Sequence, residues 1–252
     1  MATFIAQVSC IGVGLVAGWL SPRAAGQAWL SRDTWINVGT GALLYPVRLG
    51  LVLLGVDTLH GVVPLSSVGP GLVQLVLAVV LLDFCKYWLH FADHRVPFLW
   101  RFHRVHHSVE RMDATAGLRM HLVDFLQLSA LPILLFGVLF DTRGSPPWVV
   151  PGVLIVGIVA DTIEHANVPF KVDTWWKRVW FYTFNTPLFH SWHHTREGHL
   201  IDGNYAAAFP IWDRLFGTDV TRPEPPALYG LGEDRLDASV LGMQALRSER
   251  TG

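Results

Sequence analysis

Twelve histidines occur in this chain of 252 residues. Most fall into clusters: His90-x3-His94, His103-x2-His106-His107, a lone His165, and His190-x2-His193-His194. On a helix, positions i, i+3 and i+4 share a face, so each cluster turns two or three imidazoles toward one point. That is ligand spacing for a metal. Neutral imidazole suits iron, zinc, copper and nickel, and the clusters hold more ligands than one tetrahedral ion can use, so two ions are the economical reading. A lone H-x2-HH is an ordinary surface accident, but two copies with an H-x3-H upstream are not. With only Cys10 and Cys85 present, a disulfide scaffold, a Cys-rich zinc module and a thiolate-held iron–sulfur cluster are excluded.

Carboxylates stand close to the clusters. Asp83, His90 and His94 form one helical stripe, which places Asp83 to accept an N–H from a ligand histidine and fix its tautomer. Asp161, one turn before His165, is placed to do the same or to ligate directly, and Glu164 adjoins it. For both aspartates the bland alternative is an ion pair with a loop arginine. His121 has three readings: a ligand, an orienting residue or a lipid headgroup contact. His60 is placed at the opposite membrane face, and His199 follows a loop glycine, so neither joins the set. A zinc metallohydrolase acting on a lipid is the competing enzyme class, but its H-E-x-x-H motif is missing. A metal carrier or haem-binding bundle is the non-enzymatic alternative, and haem would leave most of these histidines unused.

The elements that carry these residues are apolar. The chain is 51% hydrophobic and only 15% charged, with a formal net charge of −1, which points to a membrane protein and excludes a globally basic nucleic-acid binder. A spanning helix needs about 20 mostly apolar residues. Five candidates follow: Phe4 to Leu20, about Leu49 to Pro64 after an interfacial stretch from Ile36, Gly71 to about His94, Leu122 to Phe140 through Pro132, and Trp148 to about Ala166. Arg95, Arg101, Arg104, Arg111 and Arg119 in one loop, and Lys171, Lys177 and Arg178 in another, place both loops in the cytoplasm, with Arg23, Arg32 and Arg48 on the same side. Trp29, Trp35, Trp175, Trp176 and Trp180 read as interfacial anchors. A helix starting near Leu72 rises roughly 27 Å by His90, so the clusters converge where the spans reach the cytoplasm. The expected fold is all-α and integral to the membrane: a bundle of about four to five transmembrane helices under a cytoplasmic histidine-rich helical cap. Residues 234 to 252 read as a solvated tail.

Several stretches together resemble the fatty acid hydroxylase superfamily, the integral-membrane di-iron proteins that include sterol desaturases and sterol C4-methyl oxidases. They are Asp83-Phe-Cys-Lys-Tyr-Trp-Leu-His90-x3-His94, Trp100-Arg-Phe-His103-Arg-Val-His106-His107-Ser108, Asp113-Ala-Thr-x3-Arg119-x-His121, His165-Ala-Asn167, His190-Ser-Trp-His193-His194-Thr195, and Asn204-Tyr205 followed by Ile211-Trp-Asp-Arg-Leu-Phe-Gly-Thr218. The resemblance covers about residues 75 to 220. It implies two irons, O2 as cosubstrate, and hydroxylation or desaturation of a C–H bond in a lipid or sterol-like substrate. The implied iron ligands are His90, His94, His103, His106, His107, His165, His190, His193 and His194, with His121 a weaker match to the sterol-oxidase branch. Some relatives carry a further H-x3-H where this chain has Asp161-x3-His165. The chain then divides into membrane anchor spans at 1–70, the catalytic domain at 71–220 and a polar tail at 221–252. Electrons are expected from a separate ferredoxin, cytochrome b5 or reductase-type protein, at a bacterial inner membrane. The substrate is expected to enter an apolar cleft between the third, fourth and fifth spans.

Overall fold

The computed structural model describes residues 2–22, 30–58, 60–232, 236 and 239–248, with the side chains at 2, 52–58 and 199 left out. Arg23, Trp29 and parts of the tail lie outside the described residues, as does the His199 side chain.

The longest apolar runs form the bundle: α1 (Ala2–Leu20), α2 (Arg32–Thr58), α3 (Gly71–Arg95), α5 (Leu122–Phe125) leading into α6 (Leu131–Leu139), and α7 (Val149–His165). The cap contains α4 (Pro97–His107), which follows α3, then α8 (Trp175–Thr183), α9 (Pro187–His193), α10 (Ile211–Phe216) and α11 (Val240–Gln244). Among the described residues, three stretches are long and apolar enough to cross a membrane: Thr3–Leu20, Gly71–Arg95 and Leu122–Leu139. The last contains a π-helical turn at Leu126–Ala130 just before Pro132. A proline lacks the N–H that a regular helix needs, and the wider turn absorbs the mismatch without breaking the rod.

The connections that follow α2 and α6 are tied together at the end of the bundle remote from the clustered histidines. Val63–Pro64 and Phe140–Asp141 pair as a short parallel ladder, with Val63 opposite Phe140. Gly61 is required there, because a Cβ at that position would fall on the Phe140 backbone.

Two sequence expectations change. The second apolar stretch is one helix from Arg32 to Thr58 rather than an interfacial piece followed by a crossing at Leu49 to Pro64. Its first turns run along the cap, where their polar groups find partners. Thr34 Oγ1 donates to Asp113 Oδ2 at 2.6 Å, and Asn37 Nδ2 donates to Thr115 Oγ1 at 2.9 Å. The C-terminal segment is also packed where it is described. Leu236 and Met243 are buried in a cluster with Ile36 and Val105, and Gln244 Nε2 donates to the Met120 carbonyl at 2.7 Å. A few apolar residues in a polar sequence are enough to dock it, which composition alone does not reveal. Trp35, Trp175, Trp176 and Trp180 are exposed.

Candidate metal centre

The clusters meet in the buried heart of the cap and form two groups. One contains His90, His94, His103, His107 and His193, and the other contains His106, His165, His190 and His194. Within each group the ligand atoms lie within 4.8 Å of one another. His90 Nε2 and His107 Nε2 sit 3.0 and 3.1 Å from His103 Nε2. In the second group His165 and His190 Nε2 are 3.1 Å apart, His190 and His194 Nε2 3.1 Å, and His106 and His165 Nε2 3.3 Å.

The two H-x2-HH motifs do not each serve one point. In α4, His103 and His107 enter the first group and His106 the second; in α9 and its C-cap, His190 and His194 enter the second group and His193 the first. Positions i and i+4 are nearly in line on a helix, whereas i+3 is rotated to the other side of that line. Two such helices facing each other therefore exchange one imidazole each. The groups abut: the His107–His193 and His106–His194 ring centroids are each 4.5 Å apart.

The far ring nitrogens fix the tautomers. His90 Nδ1 donates to the Tyr205 carbonyl at 2.7 Å, His106 Nδ1 to the Arg119 carbonyl at 3.2 Å, His165 Nδ1 to the Asp161 carbonyl at 2.7 Å and His193 Nδ1 to the Gly203 carbonyl at 2.8 Å. A carbonyl only accepts, so each of these Nδ1 atoms carries the proton and each Nε2 presents a lone pair. Lone pairs converging at about 3 Å repel unless a cation lies among them. His94 Nε2 and His193 Nε2 are buried without any hydrogen-bond partner. The donor set and its orphaned nitrogens fit two metal ions held by neutral nitrogen. Burial and the neighbouring imidazoles push His106, His107, His190, His193 and His194 well below the ordinary histidine range, which keeps them neutral and open to a metal.

His103 is different. Burial opposes its protonation, yet the Asp124 and Asp93 carboxylates outweigh that and raise it. His103 Nδ1 lies 3.0 Å from Asp124 Oδ1, a carboxylate–histidine pair of the kind that orients metal ligands. Asp93, which accepts from Gln127 Nε2 at 2.6 Å, completes this acidic flank. Sequence reasoning missed Asp93 and Asp124; the available signal was an ionisable residue inside each apolar span, costly unless it has a purpose. Glu164 stands beside the second group without a hydrogen bond to it: its oxygens lie 3.7 Å from His165 Nδ1 and from His190 Nδ1, and Asn185 Nδ2 donates to it at 2.5 Å. Asp124→Asn is expected to weaken metal retention by about 10–100-fold, read as metal content after graded chelation. Wild-type retention would make Asp124 a packing residue only.

Two expected site residues, Asp83 and His121, fall outside both groups, while Asp161 stands beside His165. Asp83 accepts no histidine N–H. Its carboxylate takes Ala208 N at 2.7 Å, Phe209 N at 3.1 Å and Trp212 Nε1 at 2.9 Å, fastening the strand of chain whose Tyr205 carbonyl holds His90. His121 lies outside both groups: its Nδ1 accepts Val123 N at 3.1 Å as the N-cap of α5, and its Nε2 donates to the Gln244 carbonyl at 2.9 Å. Asp161 touches His165 through its backbone carbonyl, with its own Oδ1 3.7 Å from His165 Nδ1.

The tail motif works as a buckle. Asn204 adopts a left-handed backbone (φ 57°) tolerated by its short polar side chain, whose Nδ2 donates to the Phe189 carbonyl at 2.7 Å. Asp213 takes Tyr205 N and Ala206 N, each at 2.8 Å.

Below the histidines the bundle encloses a cavity of about 800 Å³ that reaches His90, His106, His165 and His190. Its walls are mostly apolar, as expected, but they come from α1 and α2 as well as α3, α6 and α7, through residues such as Ile11, Leu15 and Leu44.

A helical bundle whose buried cap presents nine converging imidazoles above an apolar cavity defines a membrane-type protein with a candidate metal centre. The fatty acid hydroxylase family model matches residues 75–218, and the chain belongs to that family. It is 34% identical to the ornithine lipid hydroxylase OlsE of Rhizobium tropici over 62% of this chain and 44% of that protein. It is 33% identical to the alkylglycerol monooxygenase of Xenopus tropicalis over 59% of this chain and 31% of that one. With the cholesterol 25-hydroxylase of Mus musculus the figures are 28% identity, 67% of this chain and 55% of that protein. The chain thus spans from under a third to just over half the length of these relatives. No solved structure matches it.

Proposed function

We propose that the chain is an integral-membrane di-iron oxygenase that uses O2 and external electrons to hydroxylate a C–H bond of a lipid. The observation that carries this reading is the convergence of Nε2 lone pairs into one group of five imidazoles and one of four. The relatives' names, each a hydroxylase or monooxygenase of a lipid, support the reaction class. When bound, two irons would supply oxygen activation, chemistry beyond any side chain alone.

The protein's own contribution is placement. The carbonyls of Tyr205, Arg119, Asp161 and Gly203 hold four imidazoles in one tautomer, so the ligand set is preorganised. The buried cap keeps bulk water from the site, and the cavity offers hydrocarbon a path to it from within the bundle. In this proposal α2 and α7 span the membrane together with Thr3–Leu20, Gly71–Arg95 and Leu122–Leu139, and the histidine cap faces the cytoplasm of a bacterial inner membrane. The arginines at 95, 101 and 111 are exposed around α4, which carries three of the ligands, and this positive face suits an acidic electron-transfer protein of the ferredoxin or cytochrome b5 kind.

The test is metal analysis of protein purified without chelators, together with lipid turnover in the presence and absence of O2. About two irons per chain and a product heavier by one oxygen are expected. Zinc alone from iron-replete cells, with turnover that does not need O2, would transfer the site to hydrolysis.

A further inference from the structure

The cavity under the histidines is not uniformly apolar. Gln7, Arg48, Lys86 and Asp161 form a band of polarity on its wall, from α1, α2, α3 and α7. Arg48 Nη1 donates to Gln7 Oε1 at 3.1 Å and has no carboxylate in ion-pair contact among the described residues. It feels the Asp161 charge through space only. Asp161 has a side chain 44% exposed, and the nearby His165 Nδ1 gives its proton to the Asp161 main-chain carbonyl rather than to the carboxylate. Gly117 stands directly against the Asp161 carboxylate; a Cβ there would displace it, so the glycine preserves the room the carboxylate occupies.

Arg48, Lys86 and Asp161 face one apolar cavity with no ion pair among them in the described residues, and a membrane protein keeps such costly groups for a ligand. Resting on the lipid-hydroxylase reading above, we infer that Gln7, Arg48 and Asp161 grip the head of an amphiphile carrying both an anionic and a cationic group, and so bring a C–H close to that head beside the metals. The anionic group meets Arg48 and the cationic group meets Asp161. Because the Asp161 carboxylate lies 3.7 Å from the His165 ring, the oxidised carbon lies within a few bonds of the cationic group rather than at the far end of a chain. Gln7 and Arg48 precede residue 75, where the family match begins, and Asp161 lies within it, so the grip combines residues from outside and inside the matched region.

The experiment measures binding to metal-free, full-length protein in detergent, by native mass spectrometry, with three oleoyl probes: lysophosphatidylethanolamine, lysophosphatidylglycerol and monooleoylglycerol. The zwitterionic probe is expected to bind at least about 10-fold more tightly than either of the others. Arg48→Gln and Asp161→Asn are each expected to reduce that preference to under about 3-fold while the iron content of separately prepared holoprotein stays at the wild-type level. Equal binding of all three probes, or tightest binding of the anionic one, overturns the inference. A drop in iron content in Asp161→Asn also overturns it, by making Asp161 a metal ligand. Since binding is read without iron, a protein that shows the preference but never oxidises a lipid would sink the proposed reaction and leave this inference standing.

Discussion

His106→Ala and His193→Ala are each expected to abolish lipid oxidation, beyond the roughly 10–100-fold loss of an outer-shell change, while the helices still assemble. Both histidines are almost fully buried, yet their Nε2 atoms serve no hydrogen bond outside the imidazole groups. Removing either one relieves lone-pair repulsion in the metal-free protein, which offsets part of the cost of the small void. The two variants should differ in metal content. His193→Ala leaves His90, His94, His103 and His107 together, enough for a tetrahedral ion, whereas His106→Ala leaves only His165, His190 and His194. Iron loss should therefore be deeper in His106→Ala. Elemental analysis and product formation read these outcomes separately, and retained turnover in either variant contradicts its place as a ligand.

This asymmetry was not legible in the sequence. Clustering of histidines was, because H-x3-H and H-x2-HH are local patterns that survive any fold placing them on helices. Their partition was not, since which imidazole of α4 joins which of α9 depends on how two helices face each other. The outer shell was hidden for a related reason. His103 meets Asp124 across 21 positions, and Asp83 meets Ala208 across 125, so no spacing rule reaches them. Asp83 was found by its stripe with His90 and His94, but the stripe says only which side of α3 it occupies. What lies on that side is the segment at 205–212, and its three N–H groups are stronger claimants than an imidazole already bonded to a carbonyl. The cavity's α1 and α2 walls carry no motif, and long apolar stretches look alike whether they face lipid or substrate.

Arg119→Ala is expected to be among the most destabilising single changes outside the metal ligands. Its side chain is 1% exposed, and its guanidinium donors are shared among three neighbours. Nε donates to Asn37 Oδ1 at 2.6 Å, Nη1 to the Ser108 carbonyl at 3.2 Å, and Nη2 to Asp33 Oδ1 at 2.5 Å. Asp33 and Asn37 belong to the first turns of α2, and Ser108 caps α4, so one side chain binds the helix lining the cavity to the helix bearing three ligands. Deleting it removes the cation from the Asp33 carboxylate, whose other oxygen still accepts from Glu110 N and Arg111 N, and takes donors from Asn37 and Ser108, a loss of about 3 kcal/mol. For a chain of this size that corresponds to a fall in Tm on the order of 10 °C. Arg119→Lys should recover little, because one ammonium cannot reproduce a planar fork aimed at Asn37, Ser108 and Asp33 together. The Arg119 carbonyl also holds His106 Nδ1, so backbone movement here should reduce metal occupancy in the second group before the first. Thermal unfolding of the metal-free protein in detergent, followed by iron titration, distinguishes the two effects. An unchanged Tm would mean that the other bonds from α2, among them Thr34 to Asp113 and Asn37 to Thr115, hold it to the cap without Arg119.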